Sequence, residues 1–168
     1  DELTLFRDMA HRAFEQEITP HYESWEEARM VPRTLWNRLG DAGLLCPDME
    51  EQYGGAGTSP HVTLAMIVEL SEMGFGGFAS SYGIHNNIIA PYLSRHGTEE
   101  QKRLFLPLLA SGEVIGSFAL TEPDSGSDAA SLRTSAVEDG SDYLLTGTKR
   151  WITNANIAGL FTVFARTN

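Results

Sequence analysis

The hydrophobic period of this chain changes once, near Gly112, and that change constrains the fold more than any other feature. Before it, apolar residues recur at helical spacing. After it, they alternate or cluster among β-branched and aromatic residues. In Leu5 to Ile18 the apolar positions are Phe6, Met9, Ala10, Ala13, Phe14 and Ile18, one face of a helix that Pro20 ends. A short amphipathic piece follows at 22–30. Pro32 occupies a helix N1 position, with Leu35, Trp36 and Leu39 on one face and Gly40 and Gly43 near the stop. Residues 47–60, PDMEEQYGGAGTSP, read as a loop. Ser59 is the N-cap of a helix that runs to about Met73, with Pro60 behind it. Another apolar helix covers 80–95, and Thr98 with Gln101 forms a capping box that opens the next.

The segments 114–120, 131–137, 142–154 and 160–166 read as strands, with EDGSD as a hairpin turn between the second and third. The expected architecture is multidomain: an N-terminal all-α helical bundle, residues 1–113, then an incomplete antiparallel β domain, residues 114–168. A sheet that stopped at the last strand would leave an apolar edge open, so the β domain is expected to continue beyond Asn168.

Charge removes several function classes. The 12 Lys and Arg against 23 Asp and Glu give a net charge of −11, which argues against a nucleic-acid surface and an anionic membrane surface. No apolar run is long enough to span a bilayer. The single cysteine, Cys46, makes neither an intrachain disulfide nor a thiolate zinc site, and fits a reducing compartment. DELTLFRDMAHR at the start lacks a signal-peptide apolar core, although a chain that opens on Asp1 is compatible with an upstream segment.

Most motif candidates dissolve on inspection. GFGGFA at 74–79 spells a dinucleotide fingerprint but follows a helix, so it reads as a helix-to-helix turn. There is no P-loop and no G-x-S-x-G elbow. His11, His21, His61, His85 and His96 show no metal-ligand spacing, and no carboxylate pair is marked as catalytic, so no metal site and no catalytic residue is assigned. Two stretches remain. In TEPDSGSD, 121–128, a strand ends at Thr121, Pro123 holds Glu122 extended, and Gly126 and Ser127 open the backbone as a nest could for phosphate. Taken alone it reads as a polar turn, because three carboxylates repel a phosphate unless they point away. In WITN, 151–154, a strand would put the Trp151 face and the Thr153 hydroxyl on one side. Taken alone it is a core Trp beside a strand Thr.

Together these pieces resemble the acyl-CoA dehydrogenases. The resemblance rests on DAGLLCPDMEEQYGGAG (41–57), HGTEEQKRLFLPLLASGEVIGSFALTEPDSGSD (96–128) and YLLTGTKRWITNA (143–155), and covers nearly all of the chain. PYLSRHGTEEQK and GIHNN look most like long-chain members. The family implies a helical domain, a β domain and a C-terminal helical domain that carries the glutamate base. It implies FAD-dependent α,β-dehydrogenation of acyl-CoA thioesters in fatty-acid degradation, with electrons leaving to an electron-transfer flavoprotein. Carried onto this sequence, Phe118, Leu120 and Thr121 lie beside the isoalloxazine. Gly126 and Ser127 lie near the pyrophosphate, and Ser127 also faces the CoA of the substrate. Trp151, Ile152 and Thr153 meet the ring, with the Thr153 hydroxyl near N5. His85 lines the acyl pocket. Glu122, Asp124 and Asp128 are expected to turn from the pyrophosphate. FAD shared between subunits implies a homo-oligomer, tetramer or dimer, in a bacterial cytoplasm or a mitochondrial matrix. The rival readings are a flavin oxidase or monooxygenase of the same superfamily, and a non-catalytic helical scaffold.

Overall fold

The computed structural model describes residues 2–167. Helix α1 spans Glu2–Glu17, α2 Tyr22–Ala28, α3 Arg33–Asp41 and α4 Pro60–Glu72. Ser59 caps α4 by accepting from the His61 N–H at 3.3 Å. Pro32 is itself the N-cap of α3, one place before the expected position. Phe14 of α1 and Ile18 just after it, Leu35, Trp36 and Leu39 of α3, and Met66 and Leu70 of α4 are fully buried together, so the periodic faces become one core.

The apolar helix expected at 80–95 is one turn longer at its start and changes pitch in its middle. It runs as α5 (Gly76–Gly83), a π-helical segment (Ile84–Ile89) and α6 (Ala90–His96). Pro91 explains the wider turns: it has no N–H to donate and its ring crowds the carbonyl four residues back. The rod then breaks at Gly97, and the capping box opens α7, Glu99–Ala110: the Gln101 N–H donates to Thr98 Oγ1 at 3.2 Å and the Thr98 N–H to Gln101 Oε1 at 2.9 Å.

Among the described residues the helical part is followed by four short strands: β1 Gly116–Ala119, β2 Ser135–Asp139, β3 Asp142–Thr146 and β4 Leu160–Val163. The expected hairpin is present, β2 against β3 with Asp139 opposite Asp142, and Gly140 takes the left-handed turn conformation at φ +66°. Two details differ from expectation. β1 and β4 pair in parallel, Gly116 opposite Leu160, because the long excursion through the hairpin lets the chain return in the same direction. The third strand also stops at Thr146 rather than reaching residue 154.

β1 presses directly on the helical rod. A Cβ at Gly116 would fall 2.5 Å from Ile89 Cγ2, so only glycine permits this approach. The Gly116 N–H donates to His85 Nδ1 at 3.1 Å across the same contact.

Candidate functional site

The end of β1 is where the two singled-out motifs meet. Directly after the strand, Glu122 and Ser125 close a tight turn, with the Glu122 N–H donating to the Ser125 carbonyl at 2.8 Å and the Ser125 N–H returning at 3.3 Å. Pro123 takes the position its fixed φ suits. The Ser125 and Ser131 hydroxyls both donate to the Asp128 carbonyl, at 2.9 and 2.8 Å, and hold the rest of the loop. Gly126 and Ser127 are left at its exposed crest. Among the described residues, the main-chain N–H groups of Gly126, Ser127 and Asp128 have no acceptor.

The carboxylates follow separate courses. Glu122 turns inward and is buried. Its carboxylate accepts from Lys149 Nζ at 2.8 Å, from the Arg133 N–H at 2.6 Å, from the Thr134 N–H at 2.9 Å and from the Thr134 hydroxyl. The Lys149 ammonium first, then the Thr134 hydroxyl and the Arg133 N–H, hold its pKa well below the usual carboxylate range. Asp124 is exposed and pairs with Arg133 at 3.3 Å. Asp128 is exposed.

The second motif reaches the same place without being a strand. Trp151 and Asn154 have φ of +60° and +67°, so the backbone coils where alternation was expected. Tertiary bonds impose this path. The Arg150 N–H donates to the Thr121 carbonyl at 2.9 Å, and the Ser117 hydroxyl to the Thr153 carbonyl at 2.6 Å. The Asn154 amide donates to the carbonyls of Ser81 and Gly116 at 3.0 and 3.2 Å, which ties the segment to both α5 and β1. Trp151 is 78% exposed, with the Arg150 guanidinium 4.4 Å from its ring centroid. Ile152 and Thr153 are half-buried.

Leu120, Thr121, Gly126, Ser127, Trp151, Ile152 and Thr153 therefore come from two stretches stitched to one strand end. Phe118 faces the other way: its ring packs on Phe164 and Tyr92, with centroids 5.0 and 6.1 Å away. His85, expected to line the acyl pocket, sits in the packed contact between β1 and the helical rod. It is fully buried, its Nδ1 accepts from Gly116 and its Nε2 donates to the Leu109 carbonyl at 3.0 Å, so both nitrogens are spent on the backbone. Burial lowers its pKa to about 4 and keeps it neutral.

A cavity of about 500 Å³ opens beside Thr153. Trp25, Met30, Trp36, Phe78 and Ile157 supply apolar wall, and Ser80, Ser81 and Asn154 supply polar atoms. Its size is that of small-molecule pockets. Sequence reasoning missed this wall, and it missed Lys149 and Thr134 as partners of Glu122. The only local signal was a lysine two residues before Trp151. Among the described residues no group of three or more His, Cys, Asp or Glu could hold a metal ion, and no helix is long and apolar enough to cross a membrane.

The residues present fit a flavin dinucleotide: N–H groups without an acceptor and an exposed serine for a diphosphate, a buried glutamate that spares it repulsion, and an exposed indole for a planar ring. The sequence matches the family description "acyl-CoA dehydrogenase, N-terminal domain" over residues 1–113 and "acyl-CoA dehydrogenase, middle domain" over residues 117–168. The long-chain specific mitochondrial acyl-CoA dehydrogenase of Sus scrofa is 36% identical over 167 residues, 99% of this chain and 38% of that protein. The crystal structure of an acyl-CoA dehydrogenase from Geobacillus kaustophilus superposes with a TM-score of 0.96 at 38% identity, over 100% of this chain and 44% of that one. A glutaryl-CoA dehydrogenase from Mycobacterium smegmatis in complex with FADH2 superposes with a TM-score of 0.93 at 38% identity, over 100% of this chain and 43% of that one. The chain spans less than half the length of these relatives. It belongs to the acyl-CoA dehydrogenase family.

Proposed function

We propose that this chain supplies the helical domain, residues 1–113, and the first part of the β domain, residues 114–168, of an FAD-dependent acyl-CoA dehydrogenase. What supports this reading is the meeting of the 121–128 loop and the 151–154 segment at the end of β1, beside an apolar cavity. The N–H groups of Gly126 to Asp128 and the Ser127 hydroxyl take the diphosphate of FAD, and Ser127 also meets the CoA portion of the substrate. Leu120 and Thr121 border the polar edge of the isoalloxazine. Trp151 offers its ring face, and Ile152 and Thr153 complete that side. Phe118 contributes through the strand it belongs to. The bound flavin supplies the acceptor for the β hydride of the thioester. None of the 168 residues is assigned the base that removes the α proton.

The acyl chain enters the cavity beside Thr153, whose aromatic and aliphatic wall favours a longer substrate. Long-chain specificity in relatives such as that of Sus scrofa is in keeping with this preference. Fatty-acid degradation, transfer of electrons to an electron-transfer flavoprotein, a homo-oligomeric state and a bacterial cytoplasmic or mitochondrial matrix location complete the proposal.

The test is anaerobic titration of the purified full-length protein with straight-chain acyl-CoA thioesters of increasing length. The visible flavin band should bleach, most readily with longer chains. A protein purified without flavin, or a flavin that stays oxidised with every thioester, overturns the reading.

A further inference from the structure

Glu122 stands at the base of the phosphate-side loop, and Lys149 just ahead of the ring-side segment. Both are largely withdrawn from solvent, with side-chain exposures of 6% and 13%, and their charged atoms lie 2.8 Å apart. Lys149 makes a second bond, from Nζ to the Leu120 carbonyl at 3.0 Å, at the end of β1. The other donors to Glu122 come from a third stretch, the Arg133 and Thr134 main chain at the start of the hairpin. Glycine at 147 is part of the arrangement, because a Cβ there would collide with Thr134, the residue whose hydroxyl donates to Glu122. Three pieces of chain, at 120–122, 133–134 and 147–149, therefore converge on one carboxylate.

We propose that Glu122 and Lys149 form a positioning pair that sets the separation between the two halves of the flavin site. This inference rests on the flavin reading above. Neither side chain touches the cofactor. Each acts through the backbone it carries: Glu122 through the loop that bears Gly126 and Ser127, Lys149 through the segment that bears Trp151 and Thr153. The ion pair has a second consequence. It neutralises and retracts the carboxylate nearest the strand end, so that charge is withdrawn from the loop that carries the Gly126 and Ser127 N–H groups. A buried pair of this kind responds sharply to loss of one partner, because the other is left charged and unmatched, and mildly to loss of both.

The experiment compares FAD binding to the apo form of the full-length protein in wild type, Glu122→Gln, Lys149→Met, the double variant and Lys149→Arg. The readouts are the FAD dissociation constant and the visible circular dichroism of the bound flavin. Helical circular dichroism and the unfolding midpoint report whether each variant is folded. Each neutralising single variant should weaken FAD by at least about tenfold and alter the dichroism of whatever flavin binds. The double variant should bind no more weakly than the worse single variant, since the pair acts as a unit. Lys149→Arg, which keeps the charge, should recover most of the affinity. The double variant leaves no unmatched charge and keeps the comparison available if a single variant melts early. Wild-type affinity and dichroism in either neutralising single variant overturn the pair, as do single losses that simply add in the double variant. A wild-type protein that binds no FAD overturns the flavin reading instead.

Discussion

His85 shows how one buried side chain can join two layers. Its imidazole accepts from β1 and donates to the last turn of α7, while its ring lies 5.1 Å from that of Trp36. Only the neutral form can do this, because Nδ1 must offer a lone pair to the Gly116 N–H. Burial lowers the pKa from 6.5 to about 4, so the unfolded chain binds the proton more readily than the folded one. Stability from this residue is complete above about pH 6.5 and is lost as pH falls toward 4, by on the order of 3 kcal/mol in all. Chemical denaturation at pH 7 and pH 5 should show a clear fall for the wild type. A His85→Gln variant, weaker at pH 7, should show a shallower one. Equal pH slopes in the two proteins would refute the assignment. The partners of His85 sit 24 and 31 residues away and no local pattern in the sequence announces them.

The π-helical segment shows the same reach for a whole element. Widening of the rod between Ile84 and Ile89 brings His85 and Asn86 inward together, and both are fully buried. Asn86 Nδ2 donates to the Tyr82 carbonyl at 2.8 Å, and Oδ1 accepts from the buried Cys46 N–H at 2.6 Å, which anchors the loop after α3. Asn86→Ala would leave that N–H without an acceptor and should cost roughly 1–3 kcal/mol, read as a lower urea midpoint with an unchanged slope. A midpoint within error of wild type would show that the loop needs no such anchor. Pro91 is visible in the sequence as a helix perturbant, yet helical periodicity alone gave a regular helix there. The two capped helices were fully legible, because a cap depends on residues within one turn. WITN was misread as strand for the opposite reason. Its residue types suit a strand, and bonds from Thr121, Ser117 and Ser81 decide otherwise.

Burial is uneven across the described residues. Phe14, Trp36, Met66, Phe78 and Tyr82 lie at the centre of the helical part with no exposure above 1%. On the β side Val137, Tyr143, Leu144 and Leu145 are each about half or more exposed, and strands β2 and β3 meet chiefly one another. Amide hydrogen exchange on the 168-residue polypeptide should therefore be slowest in α1, α4 and α5 and much faster in the hairpin between Val137 and Leu145. Equal protection in the two regions would show that the hairpin is held by contacts other than its own pairing. The fold class, the helical caps and the hairpin followed from sequence alone, because period, capping and turn chemistry act over a few residues. Only tertiary structure decided that β4 returns parallel to β1, that Trp151 sits in a left-handed turn, that His85 bonds the backbone at Gly116 and Leu109, and that Glu122 folds inward onto Lys149. Each depends on groups tens of residues apart, and what brings such groups together is the close packing of β1 against the helical rod.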